Sequence, residues 1–165
     1  MNHLLPGHPA VQIAFYLALA TILSLALLVL GVVFLVKGQS TAGLLAGRLS
    51  PCSDTPNCVC SEERPGGSAY IDPLVYDDDA ASAWSNARQA ILDSGGTIVS
   101  ENDGYLWASY TTRWLRFVDD IELRLDAEHH HIHMRSASRV GNYDFHVNRN
   151  RLERLRSLYA GRSTG

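Results

Sequence analysis

From Val11 to Val36 the chain contains no aspartate, glutamate, lysine or arginine. As an α-helix this stretch would be about 39 Å long, enough to cross a hydrocarbon core about 30 Å thick. A helix also satisfies its own backbone hydrogen bonds, as lipid requires of any spanning segment. The sequence therefore predicts a single transmembrane helix over 11–36, preceded by a short tail over 1–10.

A cleaved secretory signal is the alternative interpretation of this stretch. Such signals begin with basic residues and have an apolar core of about 7–15 residues. Residues 1–10 contain no lysine or arginine, and the apolar run is longer than such a core. The small residues Ser40-Thr41-Ala42 could pass for a cleavage site, but the run before them is too long. We therefore expect an uncleaved anchor.

All the charged residues lie outside the apolar stretch, so the rest of the chain has the composition of an ordinary soluble domain. This distribution excludes a coiled coil, a collagen, a multi-pass transporter and a wholly disordered chain. We expect a linker over 37–50, a globular domain over 51–160 and a C-terminal tail over 161–165.

Hydrophobic periodicity and turn residues predict the elements of this domain. In chain order they are a helix over 80–94, strands over 97–101, 105–112, 117–126 and 131–139, and a helix over 145–159. An aspartate of the run Asp77-Asp78-Asp79 is the candidate N-cap of the first helix, and Asp144 is the candidate for the last. The fold class is α+β: a two-layer domain with an antiparallel sheet of about four strands packed with two helices.

The second hairpin has a defined register, because alternating residues separate an apolar face from a polar one. Pairing Leu123 with Met134 places Glu122 opposite Arg135 on the polar face, where the two form a cross-strand ion pair. Asp119 shares the parity of the apolar face. Because an inward carboxylate needs a partner, we expect it to contact serine hydroxyls or an arginine.

A polar cluster is predicted where this hairpin meets the start of the last helix. Paired carboxylates there could transfer protons, and arginines near a helix N-terminus could hold an anion. The catalytic candidates are Asp119, Asp120, Arg135, Ser136, Ser138 and Arg139. The ligand-binding candidates are Asp144, Asn148, Arg149 and Arg151.

The same cluster also has a purely structural interpretation. Arg139 or Arg149 would neutralise Asp119 and fix the last helix on the sheet, as ion-pair networks in folded proteins do. The chain contains no nucleophile elbow, phosphate-binding loop or HExxH motif.

Three cysteines follow the linker in the run PCSDTPNCVCS. Cys52 and Cys58 are the candidates for a disulfide across a short loop that contains Pro56, and this would require an oxidising compartment. Three separate thiols, or a metal or redox site, are the alternatives. Lys37 and Arg48 follow the apolar stretch, and by the positive-inside rule they favour a cytoplasmic domain. The side of the membrane is therefore open at this stage, with the cysteines favouring the periplasm.

Four histidines lie at the predicted turn of the second hairpin. His129, His131 and His133 could share one face and bind zinc, copper or nickel, although a solvated turn explains them as well. The basic residues of the last helix are not interleaved with exposed aromatics, so we expect no nucleic-acid partner.

Three blocks of the sequence, PCSDTPNCVCS, RFVDDIEL and RSASRVGNYDFHVNRNRL, resemble the signature of the family called domain of unknown function 1499. The resemblance spans residue 49 to about 158. It implies a small domain that often follows an anchor or export signal, for which no activity is established, and plastid members are associated with the thylakoid lumen. This chain departs from the family pattern at Cys60, where a small polar residue is more common, and at His146, where the family usually has glycine or alanine.

From these features we expect a membrane-anchored envelope protein of the bacterial inner membrane, with the lipid bilayer and an envelope protein as partners. It would act as a non-catalytic module that binds a partner or a small anion and needs no cofactor. One alternative is an acid/base enzyme that uses Asp119 or Asp120 with Arg135 and Arg139. Another is a metal-binding protein that uses the histidines.

Overall fold

The computed structural model describes residues 9–35, 38–77, 79–112 and 116–163. It divides into two units, Met1–Val36 and Lys37–Gly165. The first unit contains helix α1, Pro9–Leu35, which is apolar on every side. Within the described ranges α1 is the one helix long and apolar enough to cross a membrane. The predicted helix is therefore present, and most of the predicted tail over 1–10 lies outside the described residues.

The described residues of the second unit form eight strands and two helices. The first two strands, β1 (Leu44–Leu45) and β2 (Arg48–Leu49), form a small hairpin of their own. The others are β3 (Cys58–Cys60), β4 (Leu74–Val75), β5 (Thr97–Asn102), β6 (Tyr105–Thr111), β7 (Val118–Asp126) and β8 (His131–Ser138). The helices are α2 (Ala80–Asp93) and α3 (Val147–Ser163).

The main sheet is antiparallel, with the order β3-β8-β7-β6-β5. The short strand β4 pairs with the first residues of β8, on the same edge of β8 as β3. The α+β class is confirmed, but the sheet has six strands where about four were predicted. The two additional strands are three and two residues long. They are too short to show the alternation by which strands are recognised in a sequence.

Helix α2 begins where its sequence predicts. The Asp79 carboxylate accepts hydrogen bonds from the backbone N–H groups of Ala81 and Ser82, at 2.9 and 3.0 Å. This satisfies two of the donors that a helix N-terminus leaves without partners. The buried residues of α2 lie on one face: Ala83, Ala87, Ala90 and Ile91.

The register of the β7–β8 hairpin is confirmed. Leu123 pairs with Met134, and Glu122 pairs with Arg135. Ile121 and Leu123 are fully buried against the two helices, together with Leu106 of β6. Alternate residues of the same strands form the opposite face of the sheet, which is called the polar face below.

Helix α3 differs from its predicted form at both ends. It was predicted over 145–159 with Phe145 turned inward, but it begins at Val147 and Phe145 is 80% exposed. Phe145 and His146 have φ values of 54° and 63°, a left-handed conformation that cannot form part of an α-helix. At its other end α3 continues to Ser163, so residues 161–163 are helical and are not the tail expected there.

The predicted linker is not a free spacer between the two units. Ser40, Thr41 and Gly43 hydrogen-bond to side chains of the polar face, and Leu49 is buried. Gly38 already packs closely against the end of β8, because a Cβ there would be only 2.1 Å from the carbonyl oxygen of Arg139. Residues 38–50 are therefore part of the folded domain.

Candidate functional site

The centre of the polar face is the ion pair between Glu122 and Arg135, which are 0% and 3% exposed. Glu122 also accepts hydrogen bonds from the Tyr105 hydroxyl at 2.8 Å and from the Gly43 N–H at 2.7 Å. Burial and the nearby Glu122 carboxylate raise the pKa of Tyr105, so its hydroxyl remains a donor. Arg135 donates from Nη2 to Thr41 at 2.9 Å. The predicted ion pair is present, but it is buried beneath residues 38–50.

Asp120 lies two residues before Glu122 on the same face and is 1% exposed. Arg139 binds it through two nitrogens, at 2.7 and 3.0 Å. The indole N–H of Trp107 donates to it at 2.8 Å, and the Ser40 hydroxyl donates to it at 2.7 Å. The Arg139 guanidinium also lies 5.8 Å from the centre of the Trp107 ring. Both oxygens of this carboxylate are therefore occupied.

Asp119 points to the helix side of the sheet, as its parity predicts, and is 4% exposed. Its partner is Arg151, at 2.6 Å, so the prediction that Arg139 or Arg149 would neutralise it is wrong. Arg151 also lies over the Tyr110 ring, 5.0 Å from its centre. The structural role expected of such an arginine is nevertheless present, because this pair joins α3 to β7.

Asn148 is fully buried and connects three segments of the domain. Its amide donates to the Asn57 carbonyl at 2.8 Å and to Ser138 at 3.0 Å. Its oxygen accepts from the Ser136 hydroxyl and, at 2.7 Å, from Arg151. Ser136 and Ser138 are thus engaged in holding α3 against β8 and the loop before β3.

Cys52 and Cys58 form a disulfide, with their Cα atoms 5.5 Å apart. Cys60 is the free thiol and is 1% exposed. Burial raises its pKa to about 11, so it remains protonated near neutral pH.

Alkylation by iodoacetamide should therefore modify different numbers of cysteines in the folded and unfolded protein. We expect no adduct on the folded chain at pH 8, because Cys60 is both buried and protonated. Unfolding without a reductant should give one adduct, and unfolding with a reductant should give three, as counted by intact mass. Three adducts without a reductant would show that Cys52 and Cys58 are not bonded.

His129, at the turn after β7, and His133, in β8, lie close to acidic side chains. His129 Nδ1 lies 3.0 Å from Asp126, and His133 lies 3.7 Å from Asp126 and 3.9 Å from Glu62. Arg124 pairs with the same Glu62 carboxylate. The described residues contain no group of three or more His, Cys, Asp or Glu side chains arranged to hold a metal ion.

The pKa shifts of Asp126 and His129 make stability depend on pH. Burial alone would raise the pKa of Asp126. Hydrogen bonds from the side chain and the backbone N–H of His129 have the larger effect and hold this pKa near 2, below its ordinary value of 3.8. The hydrogen bond to Asp126 raises the pKa of His129 above 6.5. The stability that ionised Asp126 contributes is present above about pH 4 and is lost as the pH falls through 2. The stability that protonated His129 contributes is present below pH 6.5 and is lost as the pH rises through the raised pKa of His129.

We therefore expect Asp126→Asn to destabilise the domain most between about pH 4 and 6. The measurement is the urea midpoint of the variant and of the wild type across pH 2 to 8. The difference between the two urea midpoints should become smaller towards pH 2 and towards pH 8. A difference that is constant over this range would contradict the assignment.

A cleft of about 400 Å³ lies beside the disulfide. Its walls are the Cys52–Cys58 loop, residues 63–70 and the start of α3, and its side chains include Glu63, Arg64, Asp144, His146 and Arg149. Arg149 donates from one nitrogen to the carbonyls of Ser68 and Tyr70. Of the ligand-binding candidates, Asp144 and Arg149 lie in this cleft, whereas Asn148 and Arg151 belong to the network behind it.

In the cleft, Asp144 and Glu63 already accept hydrogen bonds from the protein, whereas the two arginines keep unused donors. Both Asp144 oxygens accept from backbone N–H groups, of His146 at 3.0 Å and of Asn148 at 2.8 Å. Glu63 accepts from the Cys52 N–H at 2.7 Å. By contrast, no hydrogen bond within the described part of the chain engages the Arg64 guanidinium or the other two Arg149 nitrogens. Asp54 is exposed at the rim. The groups left for a ligand are mainly donors.

Several residues of these networks were not predicted from the sequence. They are Glu62, Tyr105, Trp107, Asn57 and the segment 40–43. The signal for Trp107 was available, because the β6–β7 register places it opposite Glu122 and beside Asp120. Tyr105 is two residues before Trp107 on the same strand, so the same alternation places it on the polar face. No periodic pattern marks the other residues.

The fold and site define a small α+β domain with a charge-paired sheet face, following in sequence a helix apolar enough to span a membrane. The chain belongs to the family described as protein of unknown function, DUF1499, whose model matches residues 48–158. This confirms the resemblance seen in the sequence. Among curated proteins and solved structures, no match to the chain is found.

Proposed function

We propose that this protein is a membrane-anchored binding module of the cell envelope, with its domain outside the cytoplasm and its cleft binding an anionic group. The observation that carries the proposal is the arrangement of Arg149. Two backbone carbonyls fix its guanidinium at the cleft wall, and its remaining nitrogens are available to a ligand. A carboxylate or phosphate matches such a donor geometry. The anion would be a free small molecule or a group on a partner protein.

The surroundings of Arg149 support this proposal. Arg64 brings a second guanidinium to the cleft, and His146 brings an imidazole. Three acids, Asp54, Glu63 and Asp144, also line the cleft and keep their charge, but Asp144 and Glu63 accept hydrogen bonds from the backbone, which occupy oxygens that would otherwise bind the arginines. Because these contacts exist without a ligand, the site is largely preorganised, which lowers the cost of binding.

The buried acids support binding over catalysis. A general acid or base must reach its substrate and exchange a proton with it. Asp119 and Asp120 are buried, and each is paired with an arginine. Proton transfer by either one would require the network that joins the sheet to α3 or to residues 38–50 to open first.

The disulfide supports a domain outside the cytoplasm. Disulfides persist in oxidising compartments and are rare in the cytosol. Lys37 and Arg48 are only two positive charges, and Arg48 lies in β2 near Glu62, so it is not a free charge in a loop. We therefore give the disulfide greater weight than the positive-inside rule.

Isothermal titration of the full chain in detergent with inorganic phosphate and with acetate tests the binding proposal. Arg64→Gln removes an exposed guanidinium of the cleft, and Arg154→Gln is the control, on an exposed position of α3 outside the cleft. We expect Arg64→Gln to weaken binding by about tenfold, the value of one charge-assisted hydrogen bond. Arg154→Gln should bind like the wild type. The proposal fails if the wild type releases no heat with either anion, or if the two variants weaken binding equally.

A further inference from the structure

The cleft beside the disulfide offers acceptors as well as donors, and a simple anion would use only the donors. Asp54 and the second oxygen of Glu63 accept no hydrogen bond within the described part of the chain. Arg64 and two nitrogens of Arg149 have donors that are likewise unused there. A ligand that satisfies both sets carries one anionic group together with N–H donors of its own.

The charges of the cleft favour a ligand group with a single negative charge. The lining contains two arginines and three acids, together with the imidazole of His146. Because the acids outnumber the arginines, each further negative charge on a ligand adds more repulsion than attraction. A phosphate dianion is therefore penalised more than a carboxylate. A planar carboxylate also matches the fork of a guanidinium through two parallel hydrogen bonds.

An exposed aromatic pair, Tyr143 and Phe145, adjoins the cleft. His146 lines the cleft, and the centre of its ring is 6.2 Å from that of the Tyr143 ring. The Tyr143 ring contacts the Phe145 ring edge to face, with their centres 5.0 Å apart. Tyr143 is 52% exposed and Phe145 is 80% exposed. Neighbouring apolar side chains that remain in water mark an interaction surface, and this one continues from the wall of the cleft.

The backbone holds Phe145 and His146 in position outside the core. Their φ values of 54° and 63° are left-handed, which is unfavourable for residues that carry a side chain. The Asp144 carboxylate stabilises this turn by accepting the His146 N–H at 3.0 Å and the Asn148 N–H at 2.8 Å. Strained backbone of this kind clusters where side chains are positioned for a ligand.

We propose that the ligand of the cleft is the C-terminus of a polypeptide whose last residues are aromatic or otherwise apolar. This inference rests on the proposed anion-binding function and names the ligand. The terminal carboxylate binds the two arginines, and the backbone N–H groups before it donate to Asp54 and Glu63. The apolar side chains of the peptide pack on Tyr143 and Phe145, where aromatic contacts add to the effect of burial. Capture of a C-terminal carboxylate is a recurring mode of peptide recognition.

Isothermal titration of the full chain in detergent with three acetylated tetrapeptides tests this ligand. The first is Gly-Gly-Phe-Phe with a free C-terminal carboxylate, the second is the same peptide with a C-terminal amide, and the third is Gly-Gly-Ser-Ser with a free carboxylate. We expect the amide to bind about tenfold more weakly than the first peptide, the value of one charge-assisted hydrogen bond. The serine peptide should bind about fivefold more weakly, because it lacks the aromatic contacts.

Phe145→Ser locates the apolar contact, and Val75→Ser is its control. Both side chains are exposed, at 80% and 59%, so neither substitution should disturb the core. Val75 lies in β4 and does not line the cleft. We expect Phe145→Ser to weaken binding of Gly-Gly-Phe-Phe about fivefold, and Val75→Ser to bind it like the wild type. With Gly-Gly-Ser-Ser, Phe145→Ser should cost much less, since that peptide lacks the rings that Phe145 contacts.

The outcomes separate this inference from the proposed function. Equal binding of the free acid and the amide would overturn the inference, and so would equal binding of Gly-Gly-Phe-Phe by Phe145→Ser and Val75→Ser. In either case, binding of acetate or phosphate that Arg64→Gln weakens would leave the anion site intact. Phenyl phosphate that binds more tightly than Gly-Gly-Phe-Phe would also overturn the peptide ligand, because an aromatic phosphate would then fit the cleft better. Absence of binding by all these anions would contradict the anion site itself, and with it the inference.

Discussion

Replacing Arg135 by methionine should lower the free energy of unfolding by about 3–5 kcal/mol, the cost of leaving a buried charge without its partner. Glu122 is fully buried, and Arg135 is its only cationic contact among the described residues. The hydrogen bonds from Tyr105 and Gly43 would remain, but they do not neutralise the carboxylate. Urea denaturation of the full chain in detergent, followed by tryptophan fluorescence, measures the loss.

A double variant distinguishes lost charge pairing from lost packing. Adding Glu122→Gln to Arg135→Met removes the unpaired charge, so we expect the double variant to be more stable than Arg135→Met alone. If the effects of the two substitutions simply add, Glu122 and Arg135 are not coupled and the account of the polar face is wrong.

Replacing Asn148 by leucine should cost about 2–4 kcal/mol, although the new side chain has a similar volume. The substitution leaves the buried Ser136 hydroxyl without its acceptor and removes the Asn148 bonds to Ser138 and Arg151. The Asn57 carbonyl loses one of its two donors and keeps the Ser138 N–H. Each unsatisfied buried group costs about 1–3 kcal/mol. Urea denaturation followed by tryptophan fluorescence measures this loss in the free energy of unfolding.

Asn150→Leu is the matched control for this substitution, because Asn150 is an exposed residue of the same helix. We expect it to change stability by less than about 0.5 kcal/mol. Similar losses for the two variants would show that the effect comes from leucine in α3, and that Asn148 does not join the helix to the sheet.

The β7–β8 hairpin was the most predictable part of the fold. Strict alternation along two neighbouring strands allows one register that buries every apolar residue, and the positions of Asp119 and Glu122 followed from it. Helix α2 was predictable for a similar reason, since an N-cap, an apolar stripe and a glycine stop agree. Local and tertiary preferences coincide in both elements.

The packing of residues 38–50 was not predictable. Its small residues have no hydrophobic period, and their contacts are single hydrogen bonds to Asp120, Glu122 and Arg135. Such contacts exist only once the sheet has formed. The burial of Glu122 and Arg135 was missed for the same reason, because their strand parity correctly placed them on the outer face of the sheet.

In the candidate site, the residues that take part were predicted better than the partner of each side chain. The cluster was expected as one group, but Asp120 and Arg139 lie on the polar face, whereas Asp119 lies on the helix side. The partner of Asp119 is Arg151 and not Arg139 or Arg149. Arg151 is three residues from Asn148 and next to Leu152, both fully buried, so helical periodicity could have identified it. The outward turn of Phe145 could not be read in the same way, because it depends on backbone dihedrals.

The central claim is that α1 is retained as a membrane anchor and that the domain lies outside the cytoplasm. The most direct test is alkaline phosphatase fused after Ser163 and assayed in carbonate-washed bacterial membranes, because this enzyme is active only outside the cytoplasm. We predict an active phosphatase that stays with the washed membranes. An inactive fusion would place the domain in the cytoplasm, and activity released by carbonate would show that no anchor is retained; either result would contradict the claim.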